Sequence, residues 1–414
     1  MSLRWFALAL TLAVGLAPRP TAYAQGEPAQ LPPWTPGTID IHQISTGRGN
    51  AAFFVLPDGT TLLVDAGAAG DGIRETDPHP DASRSPGAWI ARYIQRHLPP
   101  GASGIDYGLI THFHPDHMGQ AGASSPTHPT GGYRLSGVTE VDQALPISML
   151  IDRGWPDYDY PAPLKDAMVT NYRRFLESRM KNGLAVERLR PGRADQIKLR
   201  HHADRYPSFS IRNIIANGEA WTGSGDATRQ LFLPIARLAP ADLPTENMCS
   251  IGFRLQYGQF RYFTGGDLPG EADPGFPAWH AVEPQIAAAI GKVDVHVVNQ
   301  HGSMGEESEL FLAALQSTVL IVPSWAPSHP APDVLKRIMN SRLPPSPRFV
   351  FATDLREAAR IVIGQRATRL AAPPGHIVVR VEPGGKQYRV YVLSHDDERD
   401  AVLAVRGPFQ SQSK

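Results

Sequence analysis

The chain has 414 residues, with 40 Lys and Arg against 40 Asp and Glu, so its formal net charge is zero. That balance excludes a global electrostatic pull toward nucleic acid, an anionic membrane or an acidic ligand. The length allows one large α/β domain or two ordinary ones, with a sizeable core either way.

The 38 glycines and 39 prolines, in a chain of ordinary apolar content, point to long ordered loops. Residues 1–24 read as a signal peptide. Arg4 opens it, Trp5 to Leu16 form an apolar run, and Ala22-Tyr23-Ala24 is a small-x-small cleavage site before Gln25. The run is short for a bilayer span, and an uncleaved N-terminal anchor is the alternative. The protein is therefore expected to be exported, periplasmic or secreted, without stable membrane association once the signal is cleaved. Its single cysteine, Cys249, excludes an intrachain disulfide and reads as a small buried hydrophobe beside an apolar strand.

Residues 25–37 are a Pro-rich leader. Ile39 to Ile44 then alternates apolar and polar, Ala51 to Leu56 is mostly apolar, and Pro57-Asp58-Gly59 turns into Thr61 to Val64. This β-meander ends at Asp65-Ala66-Gly67. An acid closing a buried strand faces a polar site or ties down a loop; Asp65 is read as orienting nearby ligands. Ser85-Pro86 starts a helix whose apolar residues Trp89, Ile90, Tyr93, Ile94 and Leu98 keep helical spacing until Pro99-Pro100-Gly101.

Tyr107 to Ile110 is a buried strand running straight into Thr111-His112-Phe113-His114-Pro115-Asp116-His117. Three imidazoles and a carboxylate within six residues are nitrogen and oxygen ligands for zinc and similar ions. Donors this close suit two metals side by side. A strand, helix and strand in this order put the cluster at the carboxyl edge of a sheet, where α/β proteins build sites.

This cluster resembles the His-x-His-x-Asp-His motif of the metallo-β-lactamase superfamily, and Asp65 matches that superfamily's upstream Asp. Ile39 to Gly67 also looks like the opening of the hydrolase domain of ComEC-type competence proteins. The resemblance covers roughly 38–365 and implies an α/β fold, an αββα sandwich with a two-metal site between its sheets.

The middle, about 120–245, is longer than such a fold needs and reads as an insertion. Ile147 to Asp152 is a strand, and Leu164, Met168, Tyr172, Phe175, Leu176 and Met180 follow helical spacing up to Asn182-Gly183. From Arg173 to Arg205, ten Lys and Arg stand against four acids. That bias is either a basic face suited to phosphate or a solvated helix face and loop. His128, His201 and His202 lie in polar loop sequence and read as surface residues.

A hairpin follows: Ile251, Phe253 and Leu255 alternate, Tyr257-Gly258-Gln259 turns, and Phe260 and Tyr262 continue to Thr264-Gly265-Gly266-Asp267. Glycines before an acid let the backbone approach an ion, and a carboxylate can bridge two cations. The resemblance makes Asp267 the bridging ligand. Val293 to Val298 is a further strand, and the His301 after it matches the last ligand histidine, in Gln-His-Gly-Ser where ComEC-type sequences have His-His-Gly-Ser. One departure stands out. Many superfamily members supply another His about twenty residues before the bridging Asp; here stand Glu246, Asn247 and Ser250, and ComEC-type sequences share the Asn-x-x-Ser. The implied pair is uneven: His112, His114 and Asp267, aided by Asn247 or water, against Asp116, His117, Asp267 and His301. Zinc is the expected ion, with manganese as the alternative where nitrogen ligands are few.

Helices over 306–315, 332–339 and 354–363 alternate with strands over 318–322 and 348–351. His329, in a Pro-rich loop, could reach the substrate or be incidental. His376 to Val381 and Gln387 to Val392 flank Pro383-Gly384-Gly385 as a β-hairpin that extends one sheet. The domain is therefore placed at 38–400, with 401–414 as a flexible tail. Two divalent ions would bring a shared water's pKa toward neutrality and polarise the scissile group, while Asp116 both binds metal and orients the nucleophile. The leading expectation is a phosphodiesterase or nuclease-like hydrolase acting on a nucleotide, nucleic acid or small molecule. The alternatives are cleavage of a lactone, β-lactam or other ester or amide, and a metal-stabilised binding protein without turnover.

Overall fold

The computed structural model describes residues 29–69, 76–340, 342–345 and 347–412. The expected signal peptide lies outside them. The chain opens with β1 (Ile39–Gln43), β2 (Ala52–Val55), β3 (Thr61–Val64), α1 (Pro86–His97) and β4 (Ile105–Leu109). Next come α2 (Pro115–Met118), α3 (Val138–Ala144), β5 (Ile147–Asp152), α4 (Ala167–Met180) and β6 (Ala185–Arg188). A second group begins with β7 (Phe209–Ala216), β8 (Glu219–Trp221), β9 (Thr228–Gln230), β10 (Gly252–Tyr257) and β11 (Phe260–Thr264). It continues with α5 (Glu283–Ile290), β12 (Val295–Val297), α6 (Glu309–Leu315), β13 (Val319–Val322), α7 (Pro332–Asn340), β14 (Phe349–Ala352) and α8 (Glu357–Ile363). The last strands are β15 (His376–Val381), β16 (Gln387–Leu393) and β17 (Val402–Gln410).

They form two sheets, ordered β17-β16-β15-β1-β2-β3-β4-β5-β6 and β14-β13-β12-β11-β10-β7-β8-β9. Period-two alternation sorts side chains between layers. Ala52 and Phe54 of β2 enter the core shared by the two sheets with Phe253 and Tyr262, while Phe53 and Val55 face the other way, toward Ile90 and Ile94 of α1. The Ser85 hydroxyl caps α1 by accepting from Ala88 N–H, and Pro86 occupies the first turn, where its missing N–H costs nothing. Helices α5 and α6 cover the second sheet through Ile286, Ile290, Phe311 and Leu315, and α7 with α8 cover its far end. The result is an αββα sandwich, as expected. Among the described residues no helix is long and apolar enough to cross a membrane.

The stretch 120–245 is woven into both layers. It supplies β5 and β6 to the first sheet and β7, β8 and β9 to the second. The hairpin of β15 and β16 pairs antiparallel with β1 and so extends the first sheet.

The tail is a correction. Residues 401–410 are not flexible: β17 pairs with β16 along its length, Phe409 stacks on Tyr388 at 5.2 Å and meets Phe349 at 4.9 Å, and Gln412 N–H donates to Asp294 at 2.7 Å. The leader is tied to it, with Val402 N–H donating to the Ala29 carbonyl at 3.1 Å. Gly407-Pro408 hides the strand pattern, but β17 is an edge strand, where proline's missing N–H is tolerated.

Parallel strands fix where a site can form. In β3 through β6, and again in β11 through β14, the strands run the same way, so their carboxyl ends and following loops collect at one edge. A chain ending at Asp400 should lose about 3 kcal/mol or more of unfolding free energy, the burial of roughly two apolar side chains. Chemical denaturation reads this directly, and an unchanged midpoint would make 401–412 a tail after all.

Candidate metal centre

Six donors converge at that edge. His112, His114, Asp116 and His117 follow β4, Asp267 follows β11 and His301 follows β12. They fall into two sets whose donor atoms all lie within 4.8 Å of one another: Asp116, His117, Asp267 and His301, and His112, His114 and Asp267. Asp267 is common to both. Its Oδ1 is 3.1 Å from His117 Nε2, and its Oδ2 is 3.6 Å from His301 Nε2 and 3.7 Å from His112 Nε2. Asp116 Oδ2 is 3.0 Å from His301 Nε2, and His112 Nε2 is 3.0 Å from His114 Nδ1.

The outward nitrogens of these rings are already engaged. His117 Nδ1 donates to Asp65 Oδ2 at 2.7 Å, and His301 Nδ1 donates to the Pro323 carbonyl at 2.9 Å. Both Nε2 atoms therefore face inward, 3.1 Å apart, toward two carboxylates. Two buried carboxylates beside two imidazoles call for positive charge, from protons on the rings or from a cation that displaces them, and nitrogen and oxygen donors this close suit divalent metal.

The electrostatics show the same demand for positive charge. Burial opposes charge on His117, but Asp267, Asp65 and Asp116 outweigh it and hold the imidazole well above its usual range. His301 is raised likewise, with Asp267 and Asp116 overcoming burial. Asp116 and Asp267 are held below the usual carboxylate range, burial being outweighed chiefly by His117 and His301. His112 goes the other way, lowered by burial and then by His117 and His114. It stays neutral, whereas the protons favoured on His117 and His301 are ones that a bound cation would displace.

Asp65 lies outside both sets and organises them. It is fully buried and adopts a left-handed φ of 61°, unusual for a residue with a Cβ. Besides His117 it accepts from Thr111 N–H at 2.8 Å, the Thr111 hydroxyl at 2.8 Å and Asn50 Nδ2 at 3.0 Å. The Thr111 oxygen also lies 3.2 Å from His112 Nδ1, so one carboxylate fixes rings of both sets. Gln300 and His301 share the left-handed backbone, at φ 45° and 57°. The turn before Asp267 needs Gly266: its φ is 59°, and a Cβ there would meet Thr111 Cβ at 3.0 Å. Ser250 of the Asn-x-x-Ser stretch accepts from Asp267 N–H at 3.2 Å, and Asn247 Oδ1 in the same turn is buried without a hydrogen-bond partner.

Other candidates fall as follows. Cys249 is fully buried, and burial lifts its thiol to about 12, so it is no nucleophile. His201 and His202 are exposed, and His128 stacks on Tyr133. His329 is buried, stacks on His301 at 5.0 Å and lies 3.3 Å from the Ser303 hydroxyl. Sequence reading assigned no role to Arg153, Glu246 or Trp325. Trp325 meets both His301 and His329 edge-on. A charged residue directly after the buried strand β5 was the available signal for Arg153.

Residues 45–139, which hold Asp65 and the whole histidine cluster, match the family model Metallo-beta-lactamase superfamily. No curated protein matches the chain. Among solved structures, the chain is similar to CmlA, a diiron beta-hydroxylase from Streptomyces venezuelae. The likeness has 14% identity over 78% of this chain and 54% of that one, with a TM-score of 0.38. The chain thus spans about half the length of CmlA. It is also similar to human tRNase Z, short form, at 11% identity over 68% of this chain and 91% of that one, with a TM-score of 0.31.

Asp65→Asn keeps the shape but removes the charge that orients His117 and Thr111. It should weaken metal binding about 10- to 100-fold without unfolding the protein. Titration against a competing chelator checks this; unchanged affinity would show that Asp65 only closes the turn.

Proposed function

We propose that this chain is a metal-dependent hydrolase working with two divalent ions, zinc or, in the three-donor set of His112, His114 and Asp267, manganese. The observation that carries the reading is Asp267, a single buried carboxylate within reach of both donor sets. Two such ions would supply a water of lowered pKa and polarise the scissile group, held by Asp116, His117 and His301 on one side, His112 and His114 on the other, and Asp267. The protein's part is placement. Asp116 and His114 are the donors that meet solvent while the other four are buried, so substrate approaches from their side. Asp116, held ionised, accepts a proton-bearing edge of the incoming water and aims it. Ser, Cys and Lys nucleophiles are unnecessary.

Phosphodiesters are the leading substrate class. The two-set geometry suits in-line displacement at phosphorus, and the Asn-x-x-Ser and Gln-His-Gly-Ser patterns resemble the ComEC-type domain. A second reading has its own support. Arg179 is paired with Asp142 at 2.5 Å, Arg193 with Asp195 and Asp226, and Arg190 lies 3.6 Å from Glu187. These pairs neutralise part of the basic stretch 173–205, which favours a substrate with little charge, such as a lactone, β-lactam or other ester. On the apolar run Trp5 to Leu16 we read the protein as exported and cleaved before Gln25.

A panel of bis-aryl phosphate, single-stranded DNA, a chromogenic β-lactam and an acyl lactone separates these readings. Phosphate-ester turnover should appear, vanish with chelator, and fall in His114→Ala and Asp267→Asn by more than the roughly 100-fold that loss of an outer hydrogen-bonding partner costs. Turnover of the carbonyl substrates alone would reverse the ranking. No turnover with metal bound would leave a binding protein.

A further inference from the structure

The set formed by His112 and His114 has two imidazoles and one shared carboxylate, and nothing in its own donors explains what holds it in shape. The backbone between the two histidines belongs to Phe113, whose N–H donates to Glu246 Oε1 at 2.7 Å. Glu246 is in turn gripped by Arg153, through Nε to Oε1 at 2.7 Å and Nη2 to Oε2. Both carboxylate oxygens are thereby engaged, and Glu246 stands outside the donor sets.

Arg153 has no exposed side-chain surface. A buried guanidinium is tolerated only when its N–H groups find acceptors. Here Nη1 donates to the Tyr160 carbonyl and Asn217 Oδ1, each at 3.0 Å, and Asn217 Nδ2 donates back to the Arg153 carbonyl at 2.8 Å. The guanidinium also lies over the Phe113 ring, 4.7 Å from its centroid. The network crosses the sandwich: Arg153 follows β5 of the first sheet, whereas Asn217 and Glu246 lie in loops of the second. It joins the two layers next to the set that lacks a third histidine.

We propose that Glu246, locked by Arg153, is the positioning residue for the His112–His114 loop, and that occupancy of this poorer metal set depends on the Glu246 acceptor for Phe113 N–H. The inference rests on the two-ion reading above. It assigns the chain a device that replaces a missing ligand with a rigid backbone: the donors are few, so their spacing is fixed from behind.

The test uses the full-length chain, stripped with chelator and reloaded with Co²⁺, with visible absorption reporting each equivalent. Two double variants separate the acceptor from the buried charge. E246Q/R153M removes both charges but keeps an acceptor for Phe113 N–H; E246A/R153M removes the acceptor as well. Wild type and E246Q/R153M should each bind two equivalents. E246A/R153M should keep the first and bind the second about 10- to 100-fold more weakly, with an altered absorption band for that ion. Equal behaviour of the two double variants, or equal weakening of both equivalents, overturns the inference. Fewer than two equivalents in wild type would instead defeat the two-ion reading.

Discussion

Two imidazole nitrogens, His117 Nε2 and His301 Nε2, face each other across 3.1 Å, with the carboxylates of Asp116 and Asp267 beside them. Such an arrangement is unfavourable in a buried space unless positive charge fills it. The surroundings can be understood as the means of enforcing it. Asp65 and the Pro323 carbonyl take the outward protons, Ser250 supports the Asp267 backbone, and Glu246 holds the Phe113 backbone.

Strand direction makes this affordable. Parallel strands in both sheets deliver their loops to one edge, so candidate ligands distant in sequence meet without long excursions. The strain collects there as well, in the left-handed backbone of Asp65, Gln300 and His301. Two cores, one between the sheets and one beneath α1, α3 and α4, hold the strand ends still enough to sustain it.

Much of this could be read from the chain alone, for a physical reason. The donors His112 to His117 are local, and Asp267 and His301 each follow a plain apolar strand, so short patterns reveal them. The Glu246–Arg153 link joins residues 93 apart and has no local spacing to betray it. The buried packing of His329 depends on a stack with His301 that a Pro-rich loop does not announce. Strand β7 escaped notice because polar Arg212 and Asn213 precede consecutive Ile214 and Ile215, and its pairing with β10 shifts register at Gly252. Strand β17 was hidden by Gly407-Pro408, which its edge position and the register shift beside Tyr388 permit.

The central claim is that one carboxylate, Asp267, serves two metal positions. Anomalous diffraction at the metal edge, from crystals grown with zinc or manganese, addresses it most directly. Two peaks about 3.5–4 Å apart should flank Asp267, one among Asp116, His117 and His301 and the other beside His112 and His114. A single peak, or a pair that leaves Asp267 to one side, would contradict the account.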